Sequence, residues 1–316
     1  MKNLQKLLNA DKITIARTIT AVENSTDTKI LEEIFSHTGN AYHIGITGPP
    51  GSGKSTLVNA IAKKLLKDDR KIGIIAVDPT SPFSGGALLG DRIRMNDLAL
   101  HENVFIRSMA TRGSLGGLAK KTKDVALVLD AAGMDFILIE TVGVGQVELD
   151  IAEVCDTTVV ALVPESGDSI QAMKTGLLEV ADIVIINKSD REGSDILMME
   201  LKFAFDLRDK KIEWNYPILK TIATENVGIQ ELVSEIKSHR KYLIKSRQFE
   251  EKRKNNFSKK IHELIEENVR FHLKKNIISQ SELNLLLEKT YQRKSNPYKI
   301  ATEIYQKLLN GGKFDN

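Results

Sequence analysis

Six short apolar runs alternate with helical patterns through the middle of the chain, and this alternation constrains the fold more than any other feature of the sequence. In chain order the runs are HIGITG, KIGIIAVDP, DFILIETVG, TTVVALVP, DIVIINK and PILKTIA. Apolar strands that alternate with helices are typical of a parallel sheet covered by helices on both faces. We therefore predict an α/β fold with a mostly parallel sheet flanked by helices.

Two flanking regions lack strand patterns and show helical spacing of apolar residues instead. Residues 1–43 predict a helical N-terminal extension. Residues 241–316 predict a helical C-terminal arm, in which Asn296 followed by Pro297 is typical of a helix start. The α/β domain then occupies residues 44–240.

The C-terminal arm has an apolar face that no sheet of its own would cover. The face runs from Phe257 to Val269. Since a large exposed apolar face usually marks an interaction surface, we expect the arm to form a symmetric dimer. The competing interpretation is a basic intramolecular lid, because residues 241–260 are rich in Lys and Arg.

The composition narrows the classes of partner. Of the 316 residues 41% are hydrophobic, which is enough for a substantial core. The 45 basic and 42 acidic residues leave a net charge of +3, which predicts neither a nucleic-acid nor a membrane partner. The single cysteine, Cys155, and the lack of an apolar segment near the ~20 residues of a membrane span favour a cytoplasmic location.

A glycine-rich segment directly after the first apolar run carries the strongest chemical signal. It fits the pattern G-x-x-x-x-G-K-[ST] and precedes a helical run, as in P-loop nucleoside triphosphatases. Backbone N–H groups of such a loop surround the β-phosphate, Lys54 supplies charge to the β and γ oxygens, and Ser55 offers a hydroxyl to Mg²⁺. The predicted nucleotide-binding residues are Gly48, Pro49, Pro50, Gly51, Ser52, Gly53, Lys54, Ser55 and Thr56.

A second motif, N-K-x-D, predicts which base is bound. It consists of Asn187, Lys188 and Asp190 and follows the apolar run DIVII. The carboxylate of Asp190 can accept hydrogen bonds from guanine N1–H and the exocyclic amine, whereas adenine presents no such pair of donors. A further candidate loop for guanine O6 consists of Ile222, Ala223 and Thr224.

Three carboxylates near strand ends are candidates for a metal site. Asp78 ends one apolar run, Glu140 ends another, and Asp91 lies in a glycine-bearing loop. The carboxyl ends of parallel strands meet at one edge of the sheet, so these groups can converge with Ser55 around Mg²⁺. Alternatively, each of the three carboxylates contacts the ligands of the ion and not the ion itself.

The segment that begins at Glu140 also predicts a switch. Glu140-Thr141-Val142-Gly143 stands where a typical GTPase has D-x-x-G, and Gly143 can present its N–H to the γ-phosphate. Gln146 is a candidate for orienting water, with a surface hydrogen-bonding role as the alternative. Asp168 and Lys174 are candidates for a further nucleotide-responsive loop, with helix capping and helix-surface charge as the alternative.

Several of these segments together resemble one family. GITGPPGSGKSTLVNAIA, VDPTSPFSGGALLGDRIRM, ETVGVGQVE, PESGDSIQAMKTGLLEVADI, NKSD and NPYKIATEI are similar to segments of the methylmalonyl-CoA mutase-associated GTPases of the MeaB/ArgK family. The similarity covers nearly the whole chain and is densest from Ile44 to Gly228. One departure is Ile222, because many GTPases have Ser before the Ala of the guanine loop.

The resemblance implies a P-loop GTPase of the metallochaperone-type class with Mg²⁺, guanine nucleotides as ligands and a homodimer formed through the C-terminal arm. It also implies a client, an adenosylcobalamin-dependent acyl-CoA mutase such as methylmalonyl-CoA mutase, whose cofactor loading the GTPase gates and which it protects or reactivates. Asp78, Asp91 and Glu140 match positions of the family's Mg²⁺ environment, and Lys174 falls in a loop that responds to nucleotide and partner. We predict no cobalamin site in this chain itself.

Two other functions compete with this one. A metal-delivery maturation GTPase shares the P-loop class, but it needs a histidine-rich tract or paired cysteines, and the chain has six scattered His and one Cys. A protein kinase linked to amino-acid transport would use ATP, which the guanine motif disfavours.

The switch motif also bears on the expected rate of hydrolysis. Gln146 stands three residues beyond Gly143, and the P-loop contains no Arg, so the isolated site looks incomplete. We expect slow hydrolysis by the chain alone, which a partner can raise roughly 10³- to 10⁵-fold.

Overall fold

Seven parallel strands form one sheet in the computed structural model, which describes residues 2–24, 28–78, 96–110, 115–141, 154–164, 176–206 and 214–309. The strands are β1 (Tyr42–Thr47), β2 (Ile72–Asp78), β3 (Val104–Ala110), β4 (Phe136–Glu140), β5 (Thr157–Leu162), β6 (Ile183–Asn187) and β7 (Ile218–Thr221). Their order across the sheet is β3-β2-β4-β1-β5-β6-β7, and each neighbouring pair is parallel. The prediction of a parallel α/β sheet flanked by helices is confirmed.

The described helices lie before the first strand, between strands and after the last strand. They are α1 (Lys2–Leu8), α2 (Lys12–Asn24), α3 (Lys29–Phe35), α4 (Lys54–Leu66), α5 (Asn96–Ala99), α6 (Leu115–Ala131), α7 (Ser194–Asp206), α8 (Ile229–Lys245), α9 (Gln248–His272), α10 (Gln280–Tyr291) and α11 (Pro297–Leu309). A 3-10 turn occupies Ala223–Glu225, and a π-helical turn occupies Leu273–Ile277. None of these helices is both long enough and apolar enough to cross a membrane.

Helices bury both faces of the sheet. On one face Ile44 and Ile46 of β1 pack with Leu57 and Ile61 of α4 and with Leu232 of α8. Strands that are buried on both faces read as continuous apolar runs, which explains why β1, β2, β4, β5 and β6 were visible in the sequence. The edge strand β7 is only partly buried before Thr221.

The N-terminal helices contribute to the core on the opposite face. Ile15, Ile19 and Ile34 are at most 1% exposed and pack in one cluster with α6 and with β4 residues such as Ile139. Full burial of one such side chain stabilises a fold by about 1.5–3 kcal/mol, so the N-terminal helices contribute to the stability of the core on this face.

The strand β3 was not among the six predicted strands. Its apolar run is interrupted by Arg107, a residue that is rare in buried strands. The structure explains its presence, since the Arg107 guanidinium forms a bidentate ion pair with Glu23 of α2, in which Nε lies 3.1 Å from Oε1. The edge position of β3 lets a helix of the extension supply this partner.

A buried polar chain attaches α8 to the amino ends of the strands. The Tyr42 hydroxyl lies 2.5 Å from Thr157 Oγ1, which in turn lies 2.8 Å from Nδ1 of His239. His239 is 2% exposed. Burial raises the pKa of the Tyr42 phenol above its ordinary value, so this group stays neutral under ordinary conditions.

The chain divides into two compact units, Met1–Glu250 and Glu251–Asn316, and the division falls within α9. In the second unit α11 begins at Pro297, as predicted, and Asn296 Oδ1 accepts a 2.8 Å hydrogen bond from Lys299 N. Ser279 caps α10 in a reciprocal arrangement with Glu282. The apolar face predicted on the arm lies along α9, where Phe257 is 45% exposed and Ile261 is 56% exposed.

Candidate functional site

The glycine-rich loop lies between the end of β1 at Thr47 and the start of α4 at Lys54, as the sequence predicts. Two of its glycines are required by close contacts. A Cβ on Gly48 would lie 2.1 Å from the carbonyl oxygen of Ala161, and a Cβ on Gly53 would lie 2.3 Å from Asn187 Nδ2. Both residues have a positive φ, 142° and 88°, which L side chains rarely adopt.

The Lys54 side chain is folded into this loop. It is 6% exposed, and its Nζ donates hydrogen bonds to the carbonyl oxygens of Gly48 (2.8 Å) and Pro49 (2.9 Å). The ammonium is therefore held at the amino end of α4, beside the N–H groups that bind anions in such loops. This is the position from which a lysine contacts phosphate oxygens.

Ser55 and Glu140 meet next to the loop. Ser55 Oγ donates a 2.6 Å hydrogen bond to Glu140 Oε1, and both residues are buried. The register of the sheet causes this contact, because Glu140 at the end of β4 pairs with Ile46 of β1, just before the loop. A hydroxyl and a carboxylate in contact are the oxygen ligands that Mg²⁺ prefers, so this pair fits the predicted ion.

The other predicted metal and switch residues are placed only in part. Asp78 ends β2, which runs beside β4, but its side chain lies outside the described part of the chain. The residues wholly outside the described ranges are Asp91, Gly143, Gln146, Asp168 and Lys174. Within those ranges, no cluster of three or more His, Cys, Asp or Glu side chains resembles a metal site.

Asn187 connects the two ends of the site. It lies at the end of β6 and is 2% exposed, and its Nδ2 donates a 2.8 Å hydrogen bond to the carbonyl oxygen of Ser52. Its Oδ1 accepts hydrogen bonds from Thr221 Oγ1 (3.1 Å) and from the backbone N–H of Ala223 (3.2 Å). One side chain thus holds the glycine-rich loop and the Ile222–Thr224 segment together.

The rest of N-K-x-D forms an open loop after β6. Lys188 has a φ of 55°, which turns the chain, and the backbone N–H of Ser189 donates to Thr221 O at 3.1 Å. Asp190 is exposed, so its carboxylate is accessible to a base. On the other side, Ala223 is buried and begins the 3-10 turn.

Two threonines that join these segments were not predicted from the sequence. Thr221 contacts Asn187, and Thr141 Oγ1 donates a 3.0 Å hydrogen bond to Thr47 Oγ1, which links the end of β4 to the start of the loop. The available signal was a Thr at or just after the carboxyl end of an apolar strand, since Thr47, Thr141 and Thr221 all stand there.

The class of protein follows from three features of the site. These are a strand–loop–helix with a buried lysine, the Ser55–Glu140 pair, and the Asn187 bridge to an N-K-x-D loop. This is a P-loop GTPase. A family model described as methylmalonyl-CoA mutase-associated GTPase MeaB matches residues 13–277, and the chain belongs to this family. It is a GTP-hydrolysing enzyme, and the expectation of a P-loop GTPase of the MeaB/ArgK family is confirmed.

Similar proteins support this assignment, and their similarity extends over most of this chain. A Pyrococcus abyssi protein named as a GTPase is 46% identical over 314 residues, which cover 98% of this chain and 97% of the relative. GTPase ArgK of Escherichia coli is 35% identical, with 86% of this chain and 85% of ArgK covered. A crystal structure of a protein named LAO/AO transport system kinase has a TM-score of 0.73 and 27% identity, and covers 98% of this chain and 97% of that chain.

Proposed function

We propose that this chain is a GTP-dependent chaperone of an adenosylcobalamin-dependent acyl-CoA mutase, with methylmalonyl-CoA mutase as the first candidate. The observation that carries the proposal is the match of residues 13–277 to a family whose description names association with that mutase. In this role the nucleotide state of the GTPase gates cofactor loading and protects or reactivates the client. The chain itself binds no cobalamin in this account.

The roles of the phosphate-binding residues follow from the contacts around Lys54. The loop from Gly48 to Gly53 holds the β-phosphate with its N–H groups, and Lys54 neutralises charge on the β and γ oxygens. Its present acceptors, the carbonyls of Gly48 and Pro49, place the ammonium within the loop. Thr56, in the first turn of α4, completes this end of the site.

The metal and switch roles are centred on the Ser55–Glu140 pair. Ser55 and Glu140 hold Mg²⁺, with Asp78 and Asp91 as further oxygen donors around it. The ion supplies charge neutralisation at the phosphates. Gly143 presents its N–H to the γ-phosphate, and Gln146 orients the attacking water.

Base recognition uses the two loops that Asn187 joins. Asp190 accepts from guanine N1–H and from the exocyclic amine, and the segment from Ile222 to Thr224 supplies a backbone N–H for O6. The bridge supports this arrangement because the Asn187 side chain contacts both the phosphate loop and Ala223. Lys188 lines the base pocket from the N-K-x-D loop.

The client contact and the assembly complete the proposal. Lys174 responds to nucleotide and client, and the α9 face of the C-terminal arm forms a homodimer. The four apolar residues of that face are between 42% and 56% exposed, which supports an interaction surface: Phe257, Ile261, Ile265 and Val269. We place the complex in the cytoplasm, where the buried Cys155 stays reduced.

The proposal is tested by binding to a purified methylmalonyl-CoA mutase that requires adenosylcobalamin. We expect a complex whose affinity differs between the GDP state and the state with a non-hydrolysable GTP analogue. Asp190→Asn is the matched control, because an amide donates where the carboxylate accepts and so favours xanthine over guanine. This variant should show the same difference only with xanthosine nucleotides. No complex with the mutase in any nucleotide state would contradict the proposal.

The similar crystal structure belongs to a protein named as a transport system kinase, and this name favours testing one alternative. A kinase transfers the γ-phosphoryl group to a protein, whereas a GTPase releases it as inorganic phosphate. Labelled GTP and ATP distinguish the two, since the kinase predicts label on protein and use of ATP. The guanine-reading loop predicts label in inorganic phosphate from GTP alone.

A further inference from the structure

The loop that carries Asp190 is attached at both ends to two consecutive residues of β7. At its start, the backbone N–H of Ser189 donates to Thr221 O at 3.1 Å. At its end, Lys220 Nζ lies 2.6 Å from Asp195 Oδ1 and 3.3 Å from Ser194 Oγ, both in the first turn of α7. The loop is thus held between two points that the strand keeps at a fixed spacing.

Lys220 also contacts the opposite guanine loop through its backbone. A Cβ added to Gly228 would lie 2.2 Å from the Lys220 carbonyl oxygen, so the end of the 222–228 segment packs closely on this residue. That segment is closed by a hydrogen bond from Ile222 N to Val227 O at 3.1 Å. One residue therefore touches both loops between which the base is proposed to bind.

The contacts of the Lys220 side chain indicate that it positions the loop and contributes little to stability. Its side chain is 32% exposed and that of Asp195 is 91% exposed, and pairs of this kind contribute little to stability. The contact with the buried Ser194 hydroxyl, however, fixes the direction of the lysine side chain. The main effect of the contact is therefore geometric.

We infer that Lys220 is a positioning residue for guanine recognition, which holds the Asp190 loop at the distance from the Ala223 loop that the base requires. The inference rests on the proposed base contacts of Asp190. It goes beyond them because neither the P-loop nor N-K-x-D contains Lys220.

The experiment compares GDP with inosine diphosphate, which lacks the exocyclic amine that Asp190 is proposed to bind. The dissociation constants of both are measured by calorimetry, and the ratio of the constant for inosine diphosphate to the constant for GDP reports the contact between Asp190 and the amine. Lys220→Met should raise the dissociation constant for GDP about 3- to 10-fold and that for inosine diphosphate by a smaller factor, because GDP loses both Asp190 contacts whereas inosine diphosphate loses only the contact through N1–H. Lys220→Arg should restore most of the ratio, since it keeps the charge and the donors.

Lys237→Met is the matched control. Lys237 lies on α8, away from both guanine loops, and forms a 2.7 Å ion pair with Asp68 in which both side chains are about half exposed. Its removal should therefore leave the ratio unchanged. Asp195→Asn is a second, milder test if Lys220→Met folds poorly, and it should lower the ratio in the same direction. An unchanged ratio in Lys220→Met and Asp195→Asn, or equal weakening of both ligands, overturns the inference.

Asp190→Ala separates this inference from the assignment on which it rests. A collapse of the ratio in Asp190→Ala without a change in Lys220→Met contradicts the role of Lys220 alone. An unchanged ratio in Asp190→Ala contradicts the guanine contact itself, and with it the inference.

Discussion

Asn187 Nδ2 donates a 2.8 Å hydrogen bond to the carbonyl oxygen of Ser52, a residue 135 positions earlier in the chain. This contact joins the glycine-rich loop to the N-K-x-D motif through a buried side chain. Because an unpaired buried amide is unfavourable, the two parts of the site are held in one arrangement. The contact also makes the site sensitive to any atom added between the two residues.

Gly53→Ala should therefore disrupt nucleotide binding. The new Cβ would lie 2.3 Å from Asn187 Nδ2, so the Asn187 side chain must move and its bridge must break. Gly51→Ala is the control, since Gly51 also has a positive φ, 79°, but has open space around its Cβ position. Both variants carry backbone strain of about 1–2 kcal/mol. We expect the dissociation constant for GDP, measured with a fluorescent analogue, to rise roughly tenfold more in Gly53→Ala, and equal effects would argue against the bridge.

Glu140→Gln tests the metal assignment of the Ser55–Glu140 pair. The amide keeps an acceptor for Ser55 Oγ but removes the negative charge. We expect the Mg²⁺ concentration for half-maximal GTP hydrolysis to rise about 10- to 100-fold, with GDP affinity in the absence of Mg²⁺ little changed. Glu231→Gln, on the exposed face of α8, should behave as the wild type. An unaltered Mg²⁺ dependence in Glu140→Gln would remove this residue from the ion's environment.

The six predicted strands and the missing seventh show what the sequence pattern can and cannot reveal. All six apolar runs proved to be strands, of which five are buried and the edge strand β7 is partly buried. β3 was not predicted because Arg107 interrupts its apolar run. The partner that neutralises this arginine is Glu23, which lies 84 residues earlier on α2. Long-range compensation of this kind is invisible to local periodicity.

The site shows the same division between local and distant information. The glycine-rich loop and N-K-x-D were visible because each is a contiguous motif with its own chemistry. Their distance from each other was not, because it depends on sheet register, which pairs Asn187 with Thr221 and Ile46 with Glu140. Lys220 was not predicted for the same reason, since its partners lie 25 and 26 residues away on the helix α7.

The capping arrangement of α10 predicts a specific pH dependence. Hydrogen bonds from the backbone N–H and the hydroxyl of Ser279, together with the charge of Lys307, lower the pKa of Glu282. The ionised carboxylate therefore stabilises the folded arm above the unfolded pKa of this group, and the stabilisation is lost as pH falls through the lower, folded pKa. In Ser279→Ala the pKa of Glu282, followed by NMR titration, should rise toward its ordinary value.

Asp11 provides an internal control in the same titration. Its pKa is lowered by hydrogen bonds from Thr14, far from Ser279 in sequence, and it should not change in Ser279→Ala. A Glu282 pKa that is unaffected by loss of the Ser279 hydroxyl would show that the cap does not persist in solution.

The α9 face predicts the oligomeric state. Ile261→Asp combined with Ile265→Asp should convert a dimer into a monomer that still binds GDP, because both side chains are more than half exposed and lie one turn apart. Ile13→Asp, similarly exposed on α2, is the control and should remain dimeric. These substitutions are cleaner than truncation after Ser238, which would also remove the buried His239 from Thr157. Light scattering of a full-length protein that is already monomeric would contradict the proposed dimer.

The most direct test of the mutase-chaperone account is phosphate release from GTP with and without a purified adenosylcobalamin-dependent mutase. We expect slow hydrolysis by the chain alone and a rise of up to roughly 10³- to 10⁵-fold when the client completes the site. Lys174→Ala should lower the stimulated rate more than the affinity for GTP, because the residue acts in the activated state. Fast turnover by the chain alone that no such mutase alters would contradict the account.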